Sequence, residues 1–125
     1  MGQEPEGGLV QPGEAYVTRD GSTVVELVRP ERGGSRNVSV ARAIVEPGQP
    51  TQRHYHTDSD EVYYVLQGTG AVRLGDRWLP VEPAATVFIP AGLAHEARCD
   101  GPTPLVILCI CSPPYTHEQT VLEPG

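Results

Sequence analysis

Three of the four histidines in this chain, with one carboxylate, fall in a pattern that could hold a metal ion: His54-Tyr55-His56, then Glu61, then His95 far downstream. In a β-strand successive side chains point to opposite faces, and residues i and i+2 lie about 6.6 Å apart on the same face. His54 and His56 therefore point inward together while Tyr55 points out. Two imidazoles from one strand, a nearby carboxylate and a third imidazole from a distant strand make a borderline N/O donor set for a first-row divalent transition metal. The competing reading is a set of unrelated histidines on exposed strands.

Parity extends the set. Gln52 precedes His54 by two residues and Tyr63 follows Glu61 by two, so both are expected on the metal face. Tyr63 is a candidate general base if a nearby cation lowers its pKa from about 10, or a donor to a ligand. Otherwise it fills volume. Val65, Val72 and Phe88 are expected as wall rather than chemistry. Arg42, Arg53 and Arg73 could meet an anionic substrate but serve equally as solvated strand-face charges. Trp78 follows a hairpin turn and is expected to cover an exposed sheet face. His117, the histidine outside the set, is expected in solvent or in a simple hydrogen bond.

The elements that must position these residues read as strands. Short apolar runs cover Thr23–Arg29, Val38–Val45, Glu61–Gln67, Ala71–Leu74, Arg77–Val81, Thr86–Ile89, Ala94–Cys99 and Leu105–Cys111. Gly- and Pro-bearing turns separate them, and nothing sustains a helical period. This spacing predicts an all-β sandwich or barrel in one domain, residues 15–112. Gly75-Asp76 is a two-residue hairpin turn between its flanking runs. Residues 1–14 read as a flexible arm and 113–125 as a C-terminal tail.

Leu105–Cys111 is apolar on both faces, so it is expected to be covered on both. A second subunit is the economical outer cover, which predicts a homodimer; a long inter-strand loop folded over the strand is the competing explanation.

Composition narrows the partners. The net charge is −7 with no basic cluster, which argues against nucleic acid. No apolar run reaches the 18 residues that suggest a membrane span, and no basic-then-apolar leader is visible. Cys99, Cys109 and Cys111 are odd in number. Buried, reduced thiols in a cytoplasmic protein are the expectation, with a Cys109/Cys111 metal pair as the alternative.

Gly48, five residues, His54-x-His56, four residues, Glu61, six residues and Gly68 together resemble the first sequence motif of the cupin superfamily. Pro90-x-Gly92, two residues and His95 resemble the second. The match runs from about Gly48 to Cys99. It departs from the family pattern where Ala84 replaces the glycine usual ahead of the motif-two proline, and where Cys99 replaces an asparagine. The resemblance implies a double-stranded β-helix, the jelly-roll barrel of cupins. Its metal would sit inside one open end, held by His54, His56, Glu61 and His95. Such a set leaves one or two positions for water, substrate or dioxygen. Iron or manganese is expected first, then nickel, copper or zinc. Gln52, Val65, Phe88 and Cys99 are expected around the substrate pocket. The end segment Cys111-Ser112-Pro113-Pro114-Tyr115 is similar to that of other small cupins, which implies a tail packed on or near the barrel.

For function, the resemblance implies first a metal-dependent, dioxygenase-like enzyme acting on a small organic molecule, with Glu61 also able to take a proton. A lyase or a sugar(-phosphate) isomerase or epimerase using Tyr63 is the alternative, although no phosphate-binding cluster is visible. A non-catalytic module binding a small ligand is the third.

Overall fold

The computed structural model describes residues 4–123, all strand and loop, with no helix among them. Eleven strands run in order: β1 (Tyr16–Val17), β2 (Thr23–Val28), β3 (Ser39–Val45), β4 (His54–His56), β5 (Asp60–Gln67), β6 (Gly70–Leu74), β7 (Arg77–Val81), β8 (Thr86–Ile89), β9 (His95–Cys99), β10 (Leu105–Ser112) and β11 (Thr120–Leu122). They form two antiparallel sheets, β1-β2-β3-β10-β5-β8 and β11-β4-β9-β6-β7. This is the expected jelly-roll barrel.

Alternation divides each strand between core and surface. On β5, Glu61, Tyr63 and Val65 are buried, whereas Asp60, Tyr64 and Leu66 are exposed. Register carries the inward rows across the sheet: Ile89, Glu61, Cys111 and Ser39 are successive partners, as are Val87, Tyr63, Cys109 and Ala41. Val65, Val72, Val81, Cys99 and Leu105 belong to the packed core. The Glu61 end of the barrel is left for polar residues.

Turn chemistry sets the register. Gly75 (φ 58°) closes the hairpin in which Leu74 faces Arg77. Gly68 has φ 86°, and a Cβ there would collide with the Pro104 carbonyl, so the position excludes side chains twice over. Ala84, where the family pattern has glycine, keeps the glycine-like conformation at φ 74°.

The ends of the chain refine the expected boundaries. Residues 1–3 of the arm lie outside the described residues. Its last part is tethered, with Gly13 N–H donating to the Glu26 carbonyl at 2.9 Å and Arg32 donating to the Gln11 carbonyl at 2.7 Å. Within the tail, residues 124 and 125 lie outside the described set. Thr120–Leu122 is a strand of the barrel itself, paired with His54–His56. The two prolines that end β10 divert the chain across to the second sheet.

Candidate metal centre

The three imidazoles come from one sheet and the carboxylate from the other. His54 and His95 are direct partners across β4 and β9, and His56 follows on the same face of β4. The Pro90-Ala91-Gly92 turn delivering His95 is tied to both neighbours: Gly92 N–H donates to the His56 carbonyl at 2.8 Å, and Ala91 N–H to Asp60 Oδ1 at 3.0 Å. Glu61 projects from β5. All four side chains are buried.

Hydrogen bonds fix the tautomer of every ring. His54 Nδ1 lies 2.7 Å from the Gln52 carbonyl and His95 Nδ1 2.9 Å from the Leu93 carbonyl. A carbonyl only accepts, so both rings carry their proton on Nδ1. His56 Nδ1 is 3.0 Å from Thr120 Oγ1, whose own proton goes to the Thr116 carbonyl at 3.1 Å, so this ring too donates from Nδ1. Three Nε2 lone pairs are thereby left for a cation.

Each ring offers a nitrogen within 4.8 Å of the other two. Glu61 is not a member of that mutually close set, but its Oε1 stands 3.2 Å from both His56 Nε2 and His95 Nε2. Two donors about 2.1 Å from one ion, at tetrahedral or octahedral angles, sit roughly 3.0–3.4 Å apart. Glu61 Oε1 and His95 Nε2 are buried without a hydrogen-bond partner. Lone pair facing lone pair in a dry interior is costly, and either a metal cation between them or a proton on an Nε2 relieves it. The residues fit a divalent metal.

The electrostatics of the metal-free site couple the carboxylate to its neighbouring rings. Burial works to raise the Glu61 pKa, but the contacts with His56 and His95 outweigh it and hold the carboxyl well below its usual range. Burial, then the neighbouring His95, holds the His54 pKa below its ordinary value. For His95 burial opposes the charged form, yet Glu61 outweighs it and the pKa is raised. Burial and then the Glu61 charge push the Tyr63 phenol well above its ordinary value, so a neutral hydroxyl faces the site. Cys109 and Cys111 are likewise raised, burial first and Glu61 second. Among the described residues the group close enough to hold a metal is the three histidines, and neither thiol belongs to it.

A cavity adjoins these groups, with about 780 Å³ of empty space counting its open mouth. Tyr63 lines it, as do Asp20, Thr51 and Thr120, which are absent from the expectations above, and Tyr115, expected only as part of the packed tail. The expected pocket residues Gln52, Val65, Phe88 and Cys99 do not line it. Gln52 is exposed because β4 begins only at His54, so strand parity does not reach it; its carbonyl orients His54 instead. Phe88 is 58% exposed, since Val87 and Ile89 take the inward positions of β8. Val65 lies deeper, in the packed core. Cys99 faces inward at the filled end, where its thiol donates to the Thr103 carbonyl at 3.0 Å.

The remaining polar candidates are committed elsewhere. Arg53 pairs with Glu123 and Arg73 with Glu96, while Arg42 is exposed and its neighbours in register point away from the cavity. Trp78 is 39% exposed, with the Arg98 guanidinium 4.4 Å from its ring centre. His117 meets the Tyr115 hydroxyl at 3.0 Å.

The model of the cupin domain family matches residues 41–111, more than half of the chain. The chain is a cupin. An uncharacterized protein of Methanocaldococcus jannaschii, MJ1618, is 40% identical over 109 residues, covering 86% of this cupin and 87% of the relative. The glucose-6-phosphate isomerase of Thermococcus gammatolerans is 32% identical, over 90% of this cupin and 68% of the isomerase. Among solved structures, TT1209 of Thermus thermophilus superposes with a TM-score of 0.67 at 27% identity, over 81% of this cupin and 91% of that chain.

Proposed function

We propose that this cupin is a metal-dependent enzyme acting on a small, uncharged, oxygen-rich organic molecule. His54, His56, Glu61 and His95 would hold one divalent ion, iron or manganese in first place. The observation that carries the reading is the approach of two Nε2 atoms, those of His56 and His95, to Glu61 Oε1 at 3.2 Å, with a nitrogen of His54 within 4.8 Å of a nitrogen on each of those rings. Such an ion would act as a Lewis acid on a substrate carbonyl or hydroxyl. Tyr63, as a neutral phenol in the cavity wall, serves better as a proton donor to substrate oxygen than as a base.

The substrate class follows from charge. The chain contains no lysine. Arg29 is the one arginine lining the cavity, and it is spoken for by Glu26 at 2.5 Å and Glu31 at 3.0 Å. Asp20, Glu26 and Glu61 share that cavity. A phosphate or other anion would find no free cation of the protein, so the likeness to a sugar-phosphate isomerase points to sugar-like rearrangement chemistry on an uncharged substrate. Oxygenation is the second reading, favoured by the three-nitrogen, one-oxygen donor set.

The test begins with metal analysis of protein made without nickel chromatography. Protein loaded with that metal is then offered neutral aldoses, ketoses and diketones under strict anaerobiosis. Isomerised or dehydrated product supports the first reading, whereas turnover that requires and consumes oxygen supports the second. Protein that neither retains metal nor turns over any of them defeats both.

A homodimer is part of this proposal. On the outer face of the larger sheet, Phe88, Val62, Ile110 and Val40 are successive partners across four strands, with Tyr64 and Leu66 exposed beside them. An apolar band of that extent is what a second copy would cover. A reducing, cytoplasmic setting suits three free thiols.

A further inference from the structure

We infer that Asp20, on the turn between β1 and β2, is a second carboxylate donor to the metal centre. The inference rests on the metal reading of His54, His56, Glu61 and His95.

Asp20 is held for such a role. Its Oδ1 accepts from Ser22 N–H at 2.9 Å, from Ser22 Oγ at 2.7 Å and from Thr18 Oγ1 at 3.2 Å. That leaves Oδ2, which stands 3.5 Å from His54 Nε2. The His54 proton is on Nδ1, committed to the Gln52 carbonyl, so Oδ2 and Nε2 present lone pairs to each other. The two side chains are only 14% and 3% exposed, which leaves little water to relieve the repulsion. A shared cation relieves it. The His54–Asp20 edge, 3.5 Å long, is the counterpart of the two 3.2 Å edges that Glu61 makes with His56 and His95; Asp20, like Glu61, stands outside the set of three mutually close rings.

The turn is clamped to the site from both sides. Gln52 N–H donates to the Asp20 carbonyl at 2.7 Å, so the residue that orients His54 also anchors Asp20. On the other side Arg19 donates to the carbonyl of Thr120, the residue that orients His56, at 2.8 Å. Within the turn, Thr18 N–H donates to the Ser22 carbonyl at 2.9 Å.

Glu61 reaches two rings of the triad and Asp20 the third. With three neutral imidazoles, the two carboxylates offset a divalent charge, giving a centre with no net charge to draw anions. In a six-coordinate ion, five protein donors leave one position, enough for one substrate oxygen and too few for a substrate chelate together with dioxygen.

The test is titration of metal-free protein with Mn²⁺, followed by calorimetry and by the electron paramagnetic resonance of the bound ion. Wild type, Asp20→Asn and His95→Ala are compared, with circular dichroism as the check on folding. The asparagine oxygen still accepts from Ser22, so the turn is retained. Asp20→Asn is expected to weaken Mn²⁺ binding by about tenfold or more and to alter the resonance of the bound ion. Wild-type affinity with an unchanged resonance in Asp20→Asn overturns the inference and leaves the four-ligand reading standing. Wild type binding Mn²⁺ no better than His95→Ala defeats both. If Asp20→Asn does not fold, Asp20→Ser decides, because a serine hydroxyl can still accept from the Ser22 N–H while the carboxylate is removed. Mn²⁺ binding weakened by about tenfold then supports ligation, and unchanged binding reduces Asp20 to a turn cap.

Discussion

Single residues in this barrel differ in how completely their chemistry is committed. The Glu61 carboxylate is pressed from one side by two imidazoles, while its Oε2 accepts from the Cys111 thiol at 3.5 Å. Ala84 is the opposite case, an exposed residue in a left-handed conformation at φ 74°. An L-residue pays about 1–2 kcal/mol for that region, and glycine escapes the penalty at some cost in unfolded-chain entropy. Ala84→Gly is therefore expected to stabilise the fold by about 1 kcal/mol, raising the melting temperature by about 4 °C. A lowered melting temperature would show that the methyl packs usefully. The four proposed ligands were legible as residues because motif spacing and strand parity both single them out. Asp20 was not, since Thr18-Arg19-Asp20-Gly21-Ser22 has the composition of any polar turn, and only the fold brings it beside His54.

At the level of elements, the strands were readable wherever a short run of apolar residues is bounded by turn residues, as in Arg77–Val81 and Thr86–Ile89. Parity failed where it was extended past a strand end, at Gln52. It failed also where both faces are apolar, so that Phe88 could not be told from Val87 and Ile89 by type. β11 left no trace, because three residues after a proline-rich polar stretch carry too little pattern. Yet β11 supplies the Thr120 hydroxyl that fixes His56. Thr120→Val keeps shape and strand propensity while removing that acceptor. It is expected to leave a buried imidazole N–H unsatisfied, at about 1–3 kcal/mol, and to weaken metal binding about tenfold. Competition against a chelator measures the second effect. Unchanged affinity would mean that pairing with β4 alone steers His56.

For the whole molecule, the two ends of the barrel are unlike, one filled by aliphatic side chains and the other open to polar groups, while the outer face of the larger sheet carries its own apolar band. Phe88 at 58% exposure and Leu66 at 43% are its most accessible members. Phe88→Lys combined with Leu66→Lys is expected to convert a dimer to a monomer in sedimentation experiments without loss of metal. A wild-type protein that sediments as a monomer at all concentrations would remove the second copy from the proposal. The placement of Thr120 carries one more consequence. A ribosome delivers His54, His56, Glu61 and His95 well before Thr120, so a nascent chain, or one clipped behind Pro114, would own every proposed ligand yet hold His56 unsteered. Loading with metal would then wait for the segment that carries Thr120, and cleavage ahead of that segment would be a way to disarm the site.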